Sequence, residues 1–203
     1  MTILSDIYNE APINDKDNWD YNELSRNSNL TMDMVFNNIN QPWDWKRLSW
    51  HKDLSLNLVE QNANESWDWM KISINNDLTL DYISNILTNN SYAAFDWVAV
   101  SGNPSIASIA SVIANPSYPW DWGAITRNAT IDDISNNIGL DWNFRELSKR
   151  SDLPMQLVRD NINENWDWGE MSKSPLLDGD MMKDYKNKDW NFKYISKVIH
   201  QPN

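Results

Sequence analysis

The stretch Pro42-Trp43-Asp44-Trp45-Lys46-Arg47-Leu48-Ser49 decides how this sequence is read. An acidic residue sits between two large rings, and an apolar residue and a serine follow within one helical turn. The same pattern heads eight units, starting at Trp19, Trp43, Trp67, Phe95, Trp120, Trp142, Trp166 and Trp190. Successive spacings are 24, 24, 28, 25, 22, 24 and 24 residues, and a period of this kind marks stacked supersecondary units. The second column holds Asp20, Asp44, Asp68, Asp96, Asp121, Asn143, Asp167 and Asn191. The third is aromatic throughout, from Tyr21, Trp45 and Trp69 to Phe192, and the sixth is apolar throughout, from Leu24 and Leu48 to Ile195. The seventh is Ser25, Ser49, Ser73, Ser101, Thr126, Ser148, Ser172 and Ser196.

The chemistry of this string predicts a short helix. Asp or Asn in the second column is a preferred N-cap, because its side chain accepts from the first free amides. Glu23, Glu146 and Glu170 stand three residues after their caps, Asp20, Asn143 and Asp167, which predicts capping boxes. The first ring then precedes the cap and the sixth column is the fourth helical residue, the arrangement of a hydrophobic staple. Pro42 and Pro119 hold the backbone ahead of their rings extended.

A second helix follows in each unit. Leu30, Leu54, Leu78, Ile106, Ile131, Leu153 and Leu177 form the twelfth column, and most are followed by a capping type: Thr31, Ser55, Thr79, Asp132 or Asp178. Apolar residues then recur at helical spacing, as in Ile109, Val112 and Ile113, whereas strands would alternate. Asn27, Asn75, Asn103 and Asn128 mark the turn between the helices, and His51 occupies the same column. The fold expected is all-α: an α-solenoid of about eight two-helix repeats with a period of about 24 residues. Residues 1–18 are read as an N-terminal capping segment with Leu4, Ile7 and Tyr8 as its apolar face, and residues 19–203 as one tandem array.

Two rival folds share part of this signature. Propeller blades carry a Trp-Asp pair but repeat at about 40–45 residues with strand patterning. Leucine-rich repeats share the period but need alternating leucines before the turn Asn, and Leu24-Ser25-Arg26-Asn27 supplies one. Helices this short are marginal alone, so the units must bury their rings on one another. A buried ring removes roughly 150–250 Å² from water, worth about 4–6 kcal/mol gross as an upper figure.

Composition narrows function. The chain has 203 residues, 13 Trp, no Cys and a formal net charge of -12. Such a charge argues against nucleic-acid binding by the whole surface and favours solubility. With no Cys, thiolate metal sites and cysteine nucleophiles are excluded. The N-terminus lacks the basic and apolar regions of a signal peptide, and the neutral stretch from Val98 to Pro119 is too rich in Pro, Ser and Asn to span a bilayer. A soluble, non-secreted protein is expected.

The string from Pro42 to Ser49, with Trp67-Asp68-Trp69 and Ser101-Gly102-Asn103-Pro104-Ser105-Ile106, resembles the Trp-Asp-Trp repeat arrays of giant amoeba-infecting DNA viruses, the Mimivirus-like group. The resemblance covers about Trp19 to Ile199 and departs from the pattern in the missing Pro after most turn Asn residues. It implies a viral origin, and either a role in the infected host cytoplasm or a place in the virion. It implies no activity.

Catalytic constellations are weak, and no enzymatic role, cofactor or metal is expected. The two histidines, His51 and His200, are far apart in sequence, and no phosphate loop, nucleophile elbow or zinc helix occurs. The Asp column would place carboxylates roughly 8–10 Å apart in stacked helices, too far to share a cation bound at about 2.3–2.6 Å. Function is therefore sought where the repeat is broken. Trp50 falls in an eighth column otherwise holding Arg26, Ile74, Gly102, Arg127, Lys149, Lys173 and Lys197, beside the turn residue His51. The segment from Trp97 to Trp120 has no charge and carries Ile106, Ala107, Ala110 and Ser111. Trp50, His51, Ile106, Ala107, Ala110 and Ser111 are the candidate partner-binding residues. The leading expectation is a scaffold for a protein partner, with self-association through the neutral unit, and the alternative is a structural component of a virus particle.

Overall fold

The second-column Asp and Asn residues start helices wherever the sequence places them. In this computed structural model, which describes residues 4, 7, 8, 18–89, 93–103 and 105–198, every regular element among the described residues is helical. The chain divides into two compact units, Met1–Ile106 and Ala107–Asn203. The first holds α1 (Tyr21–Arg26), α2 (Met32–Asn37), α3 (Trp45–Leu48), α4 (Leu56–Gln61), α5 (Trp69–Ser73), α6 (Leu80–Asn89) and α7 (Trp97–Gly102). The second holds α8 (Ile109–Ala114), α9 (Trp122–Asn128), α10 (Ile131–Asn136), α11 (Phe144–Leu147), α12 (Met155–Asp160), α13 (Trp168–Met171), α14 (Gly179–Asp184) and α15 (Phe192–Val198). Of the expected N-terminal cap, only Leu4, Ile7, Tyr8 and Asn18 lie within the described residues. Tyr8 is fully buried, edge-on to Trp19 at 5.0 Å and hydrogen-bonded to the Tyr21 hydroxyl at 2.8 Å, whereas Ile7 is exposed.

Side-chain capping is as the sequence implies. Asp44 accepts from the Arg47 amide at 2.9 Å, Asp68 from Lys71 at 3.2 Å, Asn143 from Glu146 at 3.1 Å and Asp167 from Glu170 at 2.9 Å. The expected capping boxes at Asn143/Glu146 and Asp167/Glu170 do not close. The cap's own amide is already taken by the preceding repeat, so Glu146 turns to Lys149 and Arg127, and Glu170 to Lys173. At Asp20 the glutamate likewise turns away, Glu23 pairing with Arg26 at 3.1 Å. The second-helix caps Thr31, Thr79 and Asp178 bond as expected, and Ser55 caps by backbone alone. In the fifth repeat the cap is Thr130, not Asp132. The turn there is two residues shorter, and Thr130 closes a box with Asp133.

The amides that leave the boxes open define the junction between repeats. Ser49 donates its hydroxyl to the Trp45 carbonyl at 2.9 Å and accepts the Asp68 amide of the next repeat at 2.9 Å. The acceptor half recurs from Ser25 to Asp44, Ser73 to Asp96, Thr126 to Asn143, Ser148 to Asp167 and Ser172 to Asn191, at 2.8–3.1 Å. The seventh-column side chains from Ser25 to Ser172 are correspondingly buried, and Ser196, in the last repeat, is exposed.

Rings complete each junction. The third-column ring of one repeat meets the first-column ring of the next edge-on: Tyr21–Trp43, Trp45–Trp67, Trp69–Phe95 and Trp168–Trp190 at 5.0 Å, Phe144–Trp166 at 4.9 Å and Trp122–Trp142 at 5.5 Å. This geometry suits the quadrupoles of aromatic pairs. The first-column indoles also donate backwards to the residue that ends the preceding helix. Trp43 binds the Asn38 carbonyl at 2.9 Å, and Trp67 binds Asn62, Trp142 binds Asn137 and Trp166 binds Asn161, each at 2.8 Å. An otherwise orphan helix-end carbonyl is thereby satisfied. Sixth-column residues such as Leu48, Ile72, Leu147 and Met171 are fully buried beneath these rings.

Because Ser49 serves two buried backbone groups, Ser49→Ala should cost about 1–3 kcal/mol, the penalty of a buried amide left unpaired. Urea unfolding followed by helical circular dichroism reads this directly. A loss no larger than that of exposed Ser135→Ala would show the junction hydroxyl to be dispensable.

Candidate functional site

The eighth column lies in the last turn of each first helix or just past it, beyond the seventh-column hydroxyl. Side chains there are held on the outside. Arg26, Ile74, Arg127, Lys149, Lys173 and Lys197 are exposed, and Trp50 is 61 % exposed. The column thus faces solvent, and Trp50 with it.

Trp50 is exposed but fixed. Its indole N–H donates to Asp68 Oδ2 at 3.0 Å, while Asp68 Oδ1 caps α5 and the Asp68 amide donates to Ser49 Oγ. The Lys71 ammonium lies 5.0 Å from the Trp50 ring centroid, within reach of a cation–π attraction. One repeat therefore presents the ring and the next clamps its edge. Nothing in the repeat pattern announced Asp68 as the partner, because no other eighth-column residue carries an indole.

His51 has the turn role its column implies. Its Nδ1 accepts the Asp53 amide at 3.2 Å, the bond that Asn27, Asn75 and Asn103 make to the amide two residues on, at 2.8–3.0 Å. With Nδ1 accepting, the proton of the neutral ring sits on Nε2, which is buried and has no hydrogen-bond partner among the described residues. Trp50 and His51 together line a hollow of about 520 Å³ with Arg26, Arg47 and Lys52, and a second of about 400 Å³ with Lys71 and Ile74.

Of the neutral candidates, Ile106 is corrected to a core position. It is 3 % exposed, as its apolar twelfth column requires, and offers no surface to a partner. In the second unit Ala110 is exposed on α8, while Ala107 and Ser111 are half-buried. Ser111 shares its hydroxyl with the capping Ser108 at 2.8 Å. The structure brings Trp50 and His51 together in the first unit, and in the second Ala110 is the open member of the neutral set.

The outer face of the first unit has a feature that single columns conceal. Met70 at 63 %, Ile74 at 50 % and Val98 at 53 % exposure join Trp50 as large apolar side chains left in water. They occupy the fourth and eighth columns, one helical turn apart on the same side of a helix. In the second unit the same columns hold Gly123, Arg127, Arg145, Lys149, Gly169, Lys173, Lys193 and Lys197. There Lys149 sits 2.7 Å from Glu146 and holds that carboxyl below its usual range, with Arg127 adding to the effect.

Among the described residues no group of three His, Cys, Asp or Glu side chains is placed to hold a metal ion, and no helix is long and apolar enough to cross a membrane. Compared with family models, with curated proteins and with solved structures, the chain gives no match.

A braced surface ring should be removable without unfolding the protein. Trp50→Ala is expected to cost about 1 kcal/mol, the sum of a solvated hydrogen bond and an exposed cation–π contact. Trp67→Ala, in the buried first column, should cost about 3–5 kcal/mol. Urea midpoints of the two variants separate these cases, and equal losses would make Trp50 a core residue in disguise.

Proposed function

We propose that this chain is a non-enzymatic α-solenoid repeat protein that serves as a scaffold for a protein partner. The recurring junction supports the stacking: the same hydroxyl-to-amide bond and the same edge-on ring pair join successive repeats within each unit. A frame built this way leaves the fourth, fifth and eighth columns free to vary, and solenoids use such faces for binding. The observation that carries the reading is the apolar outer stripe of Trp50, Met70, Ile74 and Val98. Exposed clusters of this kind mark interaction surfaces, and Trp is enriched among interface anchors.

The likeness to the Trp-Asp-Trp arrays of giant viruses supports a viral origin, with host cytoplasm or the virion as the place of action. A second reading, a structural component of a virus particle, is favoured by the uncharged α8 with Ala110 outward, a face suited to self-association.

Small-angle scattering tests the open stack. A compact globule of this length has a radius of gyration of roughly 17 Å, and the solenoid requires a clearly larger value. Partner capture tests the scaffold: tagged wild-type protein, Trp50→Ala and Ala110→Glu are cross-linked in an infected-cell lysate and compared by quantitative mass spectrometry. A protein enriched by the wild type and lost with Trp50→Ala supports the scaffold. Loss of this chain's own copies with Ala110→Glu alone supports the particle reading. Identical captures from all three remove both surfaces.

A further inference from the structure

We propose that the Trp50 hollow binds a short acidic peptide segment, which lays an apolar side chain on the indole face and sets its carboxylates against Arg26, Arg47 and Lys52. The inference rests on the protein-binding reading above and names the partner's chemistry. Three cations and no carboxylate line the hollow of about 520 Å³ on this side of the ring. That is a sharp local reversal in a chain whose net charge is -12. Arg47 forms no ion pair among the described residues. Arg26 and Lys52 hold only neighbouring Glu23 and Asp53, at 3.1 and 3.6 Å, with all four side chains largely in solvent. Pairs so exposed are weak, and an incoming carboxylate can replace them.

Orientation follows from what flanks the ring. The neighbouring hollow of about 290 Å³ carries Asp44 and Asp68 beside Lys46 and Arg47, so its charges are balanced, whereas the hollow of about 520 Å³ holds cations alone. The hollow of about 400 Å³ carries Ile74 together with Lys52, Lys71 and Asp77, so an aliphatic side chain and two cations lie past Trp50. An acidic segment with one or two apolar residues fits this sequence of charge, ring and aliphatic surface. Because Asp68 and Lys71 already hold the indole, little side-chain freedom remains to be lost when a ligand stacks on it.

A polyanion fits less well. The chain as a whole carries a formal net charge of -12, so a nucleic-acid strand running on past the hollow would meet net repulsion. A peptide a few residues long ends within about a Debye length, about 10 Å at 0.1 M salt.

Fluorescence anisotropy on the full chain, with a fluorescein-labelled Glu-Asp-Leu-Phe-Asp-Glu peptide, tests this. Saturable binding is expected, weakened about tenfold by Trp50→Ala and several-fold by Arg47→Gln or Lys52→Gln. It should also fall as salt rises from about 50 to about 300 mM. The Gln-Asn-Leu-Phe-Asn-Gln peptide and a ten-residue oligothymidylate should bind at least about tenfold more weakly. Circular dichroism confirms that each variant is folded. No saturation by about 1 mM peptide, equal binding of the amide peptide, tighter binding of the oligonucleotide, or indifference to Trp50→Ala and Arg47→Gln would each overturn the proposal. If the peptide fails while lysate capture still depends on Trp50, the acidic specificity is wrong and the scaffold stands. If capture is also independent of Trp50, both fall.

Discussion

One hydroxyl per repeat holds this architecture together. A seventh-column Ser or Thr, such as Ser49 or Thr126, lies at the end of one first helix and accepts the cap amide that begins the next. Both ends of that bond are backbone or backbone-anchored, so it fixes the helix start of one unit against the helix end of its neighbour with little slack. The consequences spread outward. The cap amide is consumed, so the glutamate three residues on has no amide to return to, and Glu146 and Glu170 become available for surface ion pairs. Ring columns are brought into edge-on contact, and each indole N–H reaches the carbonyl that ends the preceding helix. Trp in the first column is thus chosen for its edge as well as its area. Phe95 shows that the ring contact survives without the indole N–H.

The parts of this arrangement legible in the sequence are those that repeat with a fixed local offset. The helix starts, the turn residues and the buried columns all depend on neighbours within five residues, and a period of about 24 makes such offsets visible eight times over. His51 could be placed in a turn because its column otherwise holds Asn, and its Nδ1 acts as an Asn oxygen would. The partners that lay hidden are those one repeat away. Nothing local to Ser49 names the Asp68 amide, and nothing local to Trp50 names the second oxygen of the same residue. Misregister arose where the period itself shifts. At Ile131 a turn shorter by two residues moved the cap from Asp132 to Thr130, an error that spacing alone cannot reveal. The uncharged segment around Ile106 suggests surface, yet its own column is apolar in the first seven units and Ile106 is buried. The column was the stronger signal.

The outward face obeys a rule of its own, which bears on why Trp50 stands where it does. In three repeats the fifth and eighth columns form an ion pair within one helix end: Glu23 with Arg26, Glu146 with Lys149 and Glu170 with Lys173. In the second and third repeats the fifth column reverses sign, to Arg47 and Lys71, and the eighth becomes apolar, Trp50 and Ile74. A cation and a large apolar group are then left outward where a self-satisfied pair would otherwise sit. The chain meets part of this cost internally, by turning the Trp50 N–H to Asp68 and placing Lys71 over the ring. Arg47 receives no ion-pair partner among the described residues, and the hollow that the ring shares with Arg26, Arg47 and Lys52 does not include Lys71. Two adjacent repeats that give up the pairing used elsewhere, at the same two columns and in the same sense, are what a surface shaped for an external ligand requires. The chemistry they leave open is that of a carboxylate beside an apolar side chain.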